Sequence, residues 1–201
     1  MLGFYVSGHP LLNYKMEMNV FATAQLGNSS GVKSGSIVRV GGIVAALKKK
    51  VDKKGNMMAF VTLEDFSGKG ELIVFSDAYA KFQKYLGEDA MVMVTGKAEH
   101  NGDSLRIITN EVMPMEHVRA KLTKSIVLSV RLEDIQENAI GELRKVADRH
   151  RGTCSCFFNV IPTTAQQSMR LQATNVGVNV SNEFIHEVEE ILGPNSVMIS
   201  G

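Results

Sequence analysis

The chain has 201 residues, 44% of them hydrophobic and 21% charged, and carries a net charge of +1. That length and balance allow one or two ordinary cores and exclude a disordered chain, while near-neutrality excludes a globally basic nucleic-acid clamp and leaves only local patches to carry such a role. Two cysteines exclude a disulfide framework, and no apolar run approaches the ~18 residues needed to cross a bilayer, so the reading is a cytoplasmic protein with no membrane partner.

Residues 1–32 read as the tail of an upstream region. Met1-Leu2-Gly3-Phe4-Tyr5-Val6 is apolar with nothing before it to pack against, which suggests a cut within a longer protein, and the small polar stretch Gly27–Gly31 reads as a linker or loop. From residue 33 to 119 the period is mostly two. Val38, Val40, Ile43, Ala45 and Leu47 alternate, with Gly41-Gly42 shifting the phase as a bulge would. Phe60–Phe66 and Gly70–Phe75 form two further strands. Ser76 then reads as the cap of a helix carrying Tyr79, Phe82 and Leu86 on one face, with Gly87 ending it. Met91–Glu99 and Leu105–Val112 follow as strands around the turn-rich His100-Asn101-Gly102-Asp103. Three strands, a helix and two strands, with a bulged first strand, is the layout of the five-stranded Greek-key barrel called the OB-fold.

Residues 120–201 change character and predict a small α+β domain, two helices on a sheet. Ser125–Arg131 reads as a strand; Ile135, Ala139, Leu143, Val146 and Ala147 mark a helix face stopped by Gly152. Strands are expected around Cys154–Val160, Met169–Ala173 and Val176–Val180. Ser181 caps a last helix with Phe184, Ile185, Val188 and Ile191 inward, Gly193-Pro194 stops it, and Val197–Ile199 closes the unit. Residues 33–119 hold 13 basic and 11 acidic side chains, residues 120–201 hold 8 and 9, so basicity sits with the barrel.

The strongest local signal is Lys48, Lys49, Lys50, Lys53 and Lys54, placed in the loop between the first two barrel strands. That loop and the one between strands four and five flank the groove in which OB-folds lay oligonucleotides, and clustered ammonium groups attract phosphates by counterion release without reading sequence. A lysine-rich hairpin tip is also what a solvated guard against edge pairing looks like. Ala59, Val61 and Leu63 share one face of the second strand, which turns Phe60 outward, either to stack a base or to pack under a neighbouring segment. Arg39 and Arg106 join the groove candidates by similar phase arguments, with single surface arginines as the plain alternative. Cys154, Cys156 and His150 lack the second pair a zinc site needs, and the carboxylates Glu64, Asp65 and Glu71 are split by strand alternation, with Asp65-Phe66-Ser67-Gly68 reading as a turn. No metal, cofactor or catalytic constellation is expected.

Beyond these patterns, Leu2-Gly3-Phe4-Tyr5-Val6-Ser7-Gly8-His9-Pro10-Leu11 resembles the stretch that leads into the OB domain of the alpha subunit of bacterial replicative DNA polymerase III. Gly42-Ile43-Val44, Lys53-Lys54-Gly55-Asn56, Leu63-Glu64-Asp65 and Val74-Phe75-Ser76-Asp77-Ala78-Tyr79 resemble the matching barrel, and over 120–201 the order of elements agrees. The resemblance implies a non-catalytic C-terminal fragment of a DNA-directed DNA polymerase, whose polymerase chemistry lies upstream. It also implies single-stranded DNA as the barrel's partner, and the clamp-loader subunit and the rest of the polymerase subunit as protein partners. No copy of the family's short clamp-binding peptide is recognisable. Two other readings stay open: an OB scaffold used only for protein contacts, and a tRNA-binding OB module.

Overall fold

The computed structural model describes residues 10–163 and 167–201. Most of the Leu2–Leu11 stretch therefore lies outside the described residues. Backbone packing divides the chain between Val118 and Arg119 into two units.

In the first unit a 3-10 turn, Pro10–Tyr14, and helix α1 (Lys15–Phe21) precede strands β1 (Ile37–Val51), β2 (Met57–Asp65) and β3 (Gly68–Val74). Helix α2 (Ser76–Phe82) follows, then β4 (Met91–Asn101), β5 (Ser104–Pro114) and helix α3 (Met115–Leu122), which runs across the division. The strands close into a barrel in the order β1-β2-β3-β5-β4, antiparallel except for the β3–β5 seam. This is the predicted OB-fold. Alternation fills its interior with Val40, Val61, Leu63, Leu72, Leu105 and Ile107, all fully buried, and each such side chain contributes roughly 1.5–3 kcal/mol of transfer free energy. Tyr79 and Leu86 are buried and Phe82 packs against the same core, but α2 ends at Phe82, so Leu86 reaches the core from beyond the helix to which the sequence assigned it. Ser76 is the first helical residue rather than the cap and makes no capping bond.

The bulge lies elsewhere than the alternation suggested. Register slips between Val44 and Ala46, and Gly41-Gly42 serves close approach instead. A Cβ on Gly42 would stand 2.6 Å from the Glu64 carbonyl oxygen, and one on Gly41 would stand 2.3 Å from Met18 Sδ. The glycine pair lets β1 press against β2 on one side and α1 on the other.

The polar segment before β1 is tied into the barrel. Leu26 is fully buried in the core, beside Gly70, where a Cβ would come within 2.7 Å of Leu26 Cδ2. The Leu26 amide donates to Asp65 Oδ2 at 2.8 Å and its carbonyl accepts from the Leu105 amide at 2.9 Å. The other oxygen of buried Asp65 accepts from the Ser67 amide, the Ser67 hydroxyl and the Gly68 amide. One carboxylate thus closes the β2–β3 turn and anchors the incoming chain.

The second unit contains β6 (Ser125–Arg131), α4 (Ala139–Arg149), β7 (Arg151–Ile161), β8 (Met169–Val178), α5 (Asn182–Leu192) and β9 (Val197–Ser200). Its sheet runs β8-β7-β6-β9, with β6 and β7 parallel and the outer pairs antiparallel. Ser181 caps α5 as expected, its hydroxyl accepting from the Phe184 amide at 3.1 Å. Three details differ from the sequence reading. Ile135 precedes α4; Gly152 lies inside β7, where a Cβ would meet the backbone of Val178 and Asn179 at 2.6 Å; and the two expected short strands form a single β8 whose pairing slips between Ser155 and Phe157. Cys154 and Cys156 are buried, and burial pushes the Cys156 thiol up to about 11.

Candidate nucleic-acid interface

Burial along β1 stops after Leu47, and Lys48 through Val51 are exposed. Beyond the Lys49–Ala59 pair β2 no longer pairs with β3, so the β1–β2 hairpin runs past the barrel wall as a short two-stranded ribbon. Lys48, Lys49 and Lys50 belong to the strand, not to the loop assigned from sequence; only Lys53 and Lys54 sit on the turn. None of the five makes an ion pair among the described residues. The turn is held by Asp52, whose Oδ1 accepts from the amides of Lys54 and Asn56, each at 2.8 Å. Its own amide donates to the Asn56 carbonyl at 2.8 Å, and Gly55 supplies the positive φ of 85°. The Asn56 and Lys54 amides hold the Asp52 carboxyl below its ordinary value, so a carboxylate fixes the backbone of the turn that carries Lys53 and Lys54.

Cross-strand register sets what lies beside this ribbon. Lys48 faces Phe60, Phe60 faces Ile73, Ile73 faces Ile108, and Ile108 faces Lys97. A lysine stands at each end of a strip of half-buried apolar side chains crossing the outer wall of β2, β3 and β5. Ile73, Ile108 and Lys97 were not identified from the sequence. The phase of β3 would have given Ile73, but Lys97 and Ile108 become neighbours only through the β4 register slip at Thr95/Gly96.

Two candidates lie outside this strip. Arg106 faces Glu71 and pairs with it at 2.7 Å, so its charge is matched within the barrel wall. Arg39 faces Thr95 on the β1–β4 side, and its Nη1 donates to the Phe21 carbonyl at 3.3 Å. It holds the incoming chain. The strand-four-to-five turn, Asn101–Ser104, is braced by residues 29–32. The Ser29 amide donates to the Asp103 carbonyl at 2.9 Å, and His100 Nε2 lies 2.6 Å from the Val32 carbonyl.

In the second unit the helix-facing side of the sheet leaves an apolar cleft of about 540 Å³ lined by Leu128, Val130, Leu143, Phe158 and Leu171. Ile140, 74% exposed, stands at its mouth. Among the described residues no group of three metal-ligating side chains converges, and no helix is long and apolar enough to cross a membrane.

Residues 38–115 match the family model of OB-fold nucleic acid binding domains, and residues 126–193 match that of the DNA polymerase III alpha subunit, C-terminal domain. The chain is similar to the C-terminal region of DNA polymerase III alpha subunits. It is 35% identical to the DNA polymerase III subunit alpha of Pseudomonas fluorescens and 28% to that of Escherichia coli K12, over 98% of its own length in both cases. It spans 17% of the length of these DNA polymerase III alpha relatives. Among solved structures, the mitochondrial single-stranded DNA binding protein Rim1 of Saccharomyces cerevisiae matches 41% of this chain and 95% of its own, at 14% identity and a TM-score of 0.33.

Proposed function

We propose that the barrel holds single-stranded DNA within a DNA polymerase III alpha subunit, and that the second unit docks the clamp-loader subunit. The observation that carries the first part is the strip itself: five lysines of the exposed β1–β2 hairpin, without ion pairs among the described residues, continuous by register with Phe60, Ile73 and Ile108. Lysine ammonium groups take phosphates, while the aromatic and aliphatic side chains offer faces on which bases lie, and neither contact reads sequence. Phe60 would be the stacking platform and Lys97 the cation at the far end. Arg106 and Arg39, already engaged, would contribute little. The apolar cleft, with Ile140 at its rim, supports the docking role, since burying it would remove apolar surface from water. The polymerase chemistry of the relatives would lie in the part of their length this chain does not span.

Titrating the chain with fluorescent single-stranded DNA, duplex DNA and tRNA tests the barrel's role. Preference for single strands, lost when all five lysines are changed to glutamate, is the expected result. Strong preference for tRNA, or no binding to any of the three, overturns it.

A further inference from the structure

The second unit places both helices on one face of its sheet: Ile126, Leu128, Val130, Cys154, Cys156 and Ile199 are buried against them. The opposite face carries Val127, Phe157, Asn159, Arg170, Gln172 and Met198, brought together by the pairs Val127–Met198, Phe157–Gln172 and Asn159–Arg170. Among the described residues no helix of the unit covers that face, and Arg170, Gln172 and Met198 are exposed.

Its charge is one-sided. None of the four strands contains an aspartate or a glutamate. The unit's carboxylates occupy the turn after β6, α4 and α5. Two cations belong to the carboxylate-free face, Arg131 at the last position of the inner strand β6, 4.0 Å from Asp134, and Arg170 near the start of the edge strand β8. The Arg170 guanidinium lies 4.6 Å from the centroid of the Phe157 ring and makes no ion pair among the described residues. Phe157 sits on β7, an inner strand, flanked by the amide side chains of Asn159 and Gln172.

We propose that this open face is a second binding surface for single-stranded nucleic acid, distinct from the barrel strip. A half-exposed ring on an inner strand of an open sheet, with a guanidinium over it and amides beside it, offers base stacking, phosphate attraction and base-edge hydrogen bonds together. The carboxylate-free strands remove the repulsion that would oppose a polyanion. A face built for an apolar protein surface would not surround Phe157 with an unpaired arginine and two amides.

The chain contains no tryptophan, so Phe157→Trp creates a single fluorescent reporter on this face and Phe60→Trp one on the barrel. Oligo-dT or oligo-U of about a dozen nucleotides should quench the Phe157→Trp emission saturably. Adding Arg170→Glu should weaken that titration about tenfold or more and leave the Phe60→Trp titration unchanged. The two oligonucleotides separate a DNA from an RNA preference. An unquenched Phe157→Trp chain, whether or not Phe60→Trp is quenched, overturns the inference without touching the barrel's role. Photocrosslinking of a bromouracil-containing oligonucleotide to the unaltered chain probes the same face without a variant. Crosslinks in the β7–β8 peptides support the inference; crosslinks confined to the barrel defeat it.

Discussion

Asp65→Ala removes the acceptor of four donors, and the structure says which of them matter. Ser67 is exposed and Gly68 half-buried, so their groups regain water, whereas the Leu26 amide belongs to a fully buried residue and cannot. A buried donor left unpaired costs about 1–3 kcal/mol, and loss of the bonds to a charged acceptor at the turn adds to it, so the anchor of residues 22–32 should weaken by about 2–4 kcal/mol. The loss is local, which makes amide hydrogen exchange a sharper assay than global melting of a two-unit chain. Exchange at Leu26 and at Leu105, whose amide donates to the Leu26 carbonyl, should accelerate on the order of 30- to 1,000-fold, at 1.36 kcal/mol per decade. Asp65→Asn keeps one oxygen and should fall between the two. Protection of Leu26 and Leu105 within about threefold of the unaltered chain would refute the claim that this carboxylate anchors the segment.

Asp52→Asn keeps the acceptor for Lys54 and Asn56 while removing a charge, so affinity for single-stranded DNA should rise a few-fold; Asp52→Ala loosens the turn and should lower it, as titrations of both variants will show. Cys156 ionises in the unfolded chain near its ordinary 9.0 but in the folded one only near about 11. The stability it contributes is therefore fully present below pH ~9 and is lost as pH rises through that window, by up to ~1.4 kcal/mol per unit; a Cys156→Ala chain should lack this slope in denaturant titrations. Gly42→Ala drives a methyl toward the Glu64 carbonyl oxygen and should destabilise the barrel by more than ~1 kcal/mol, measured by urea unfolding of the first unit's signals.

Local patterns carried much of the architecture. The turns after β2 and β4, the helix that carries Tyr79 and Phe82, the Ser181 cap and the bounds of β6 follow from period and capping chemistry acting within a few residues, while Leu86 lies beyond the helix that its spacing suggested. What sequence left unread depends on distant partners. Arg106 pairs with Glu71, 35 residues away, and Arg39 bonds the Phe21 carbonyl, 18 away, contacts that strand phase alone does not show. Leu26, one apolar residue in a polar run, is core only because Gly70 leaves room for it. A glycine pair signals a bulge and a close approach equally well, and only the neighbouring β2 and α1 decide between them. The strip itself was half visible. Phase turned Phe60 outward, but its continuation through Ile73 and Ile108 to Lys97 needs the parallel β3–β5 seam, which no local pattern announces.

The salt dependence of single-strand binding tests the central claim most directly. If Lys48, Lys49, Lys50, Lys53 and Lys54 each neutralise a phosphate, log K against log salt should fall with a slope near about −3.5, roughly a hundredfold between 50 and 200 mM, at about −0.7 per phosphate. Reversing the five charges should flatten most of that slope. An unchanged affinity and slope in the reversed variant would contradict the account.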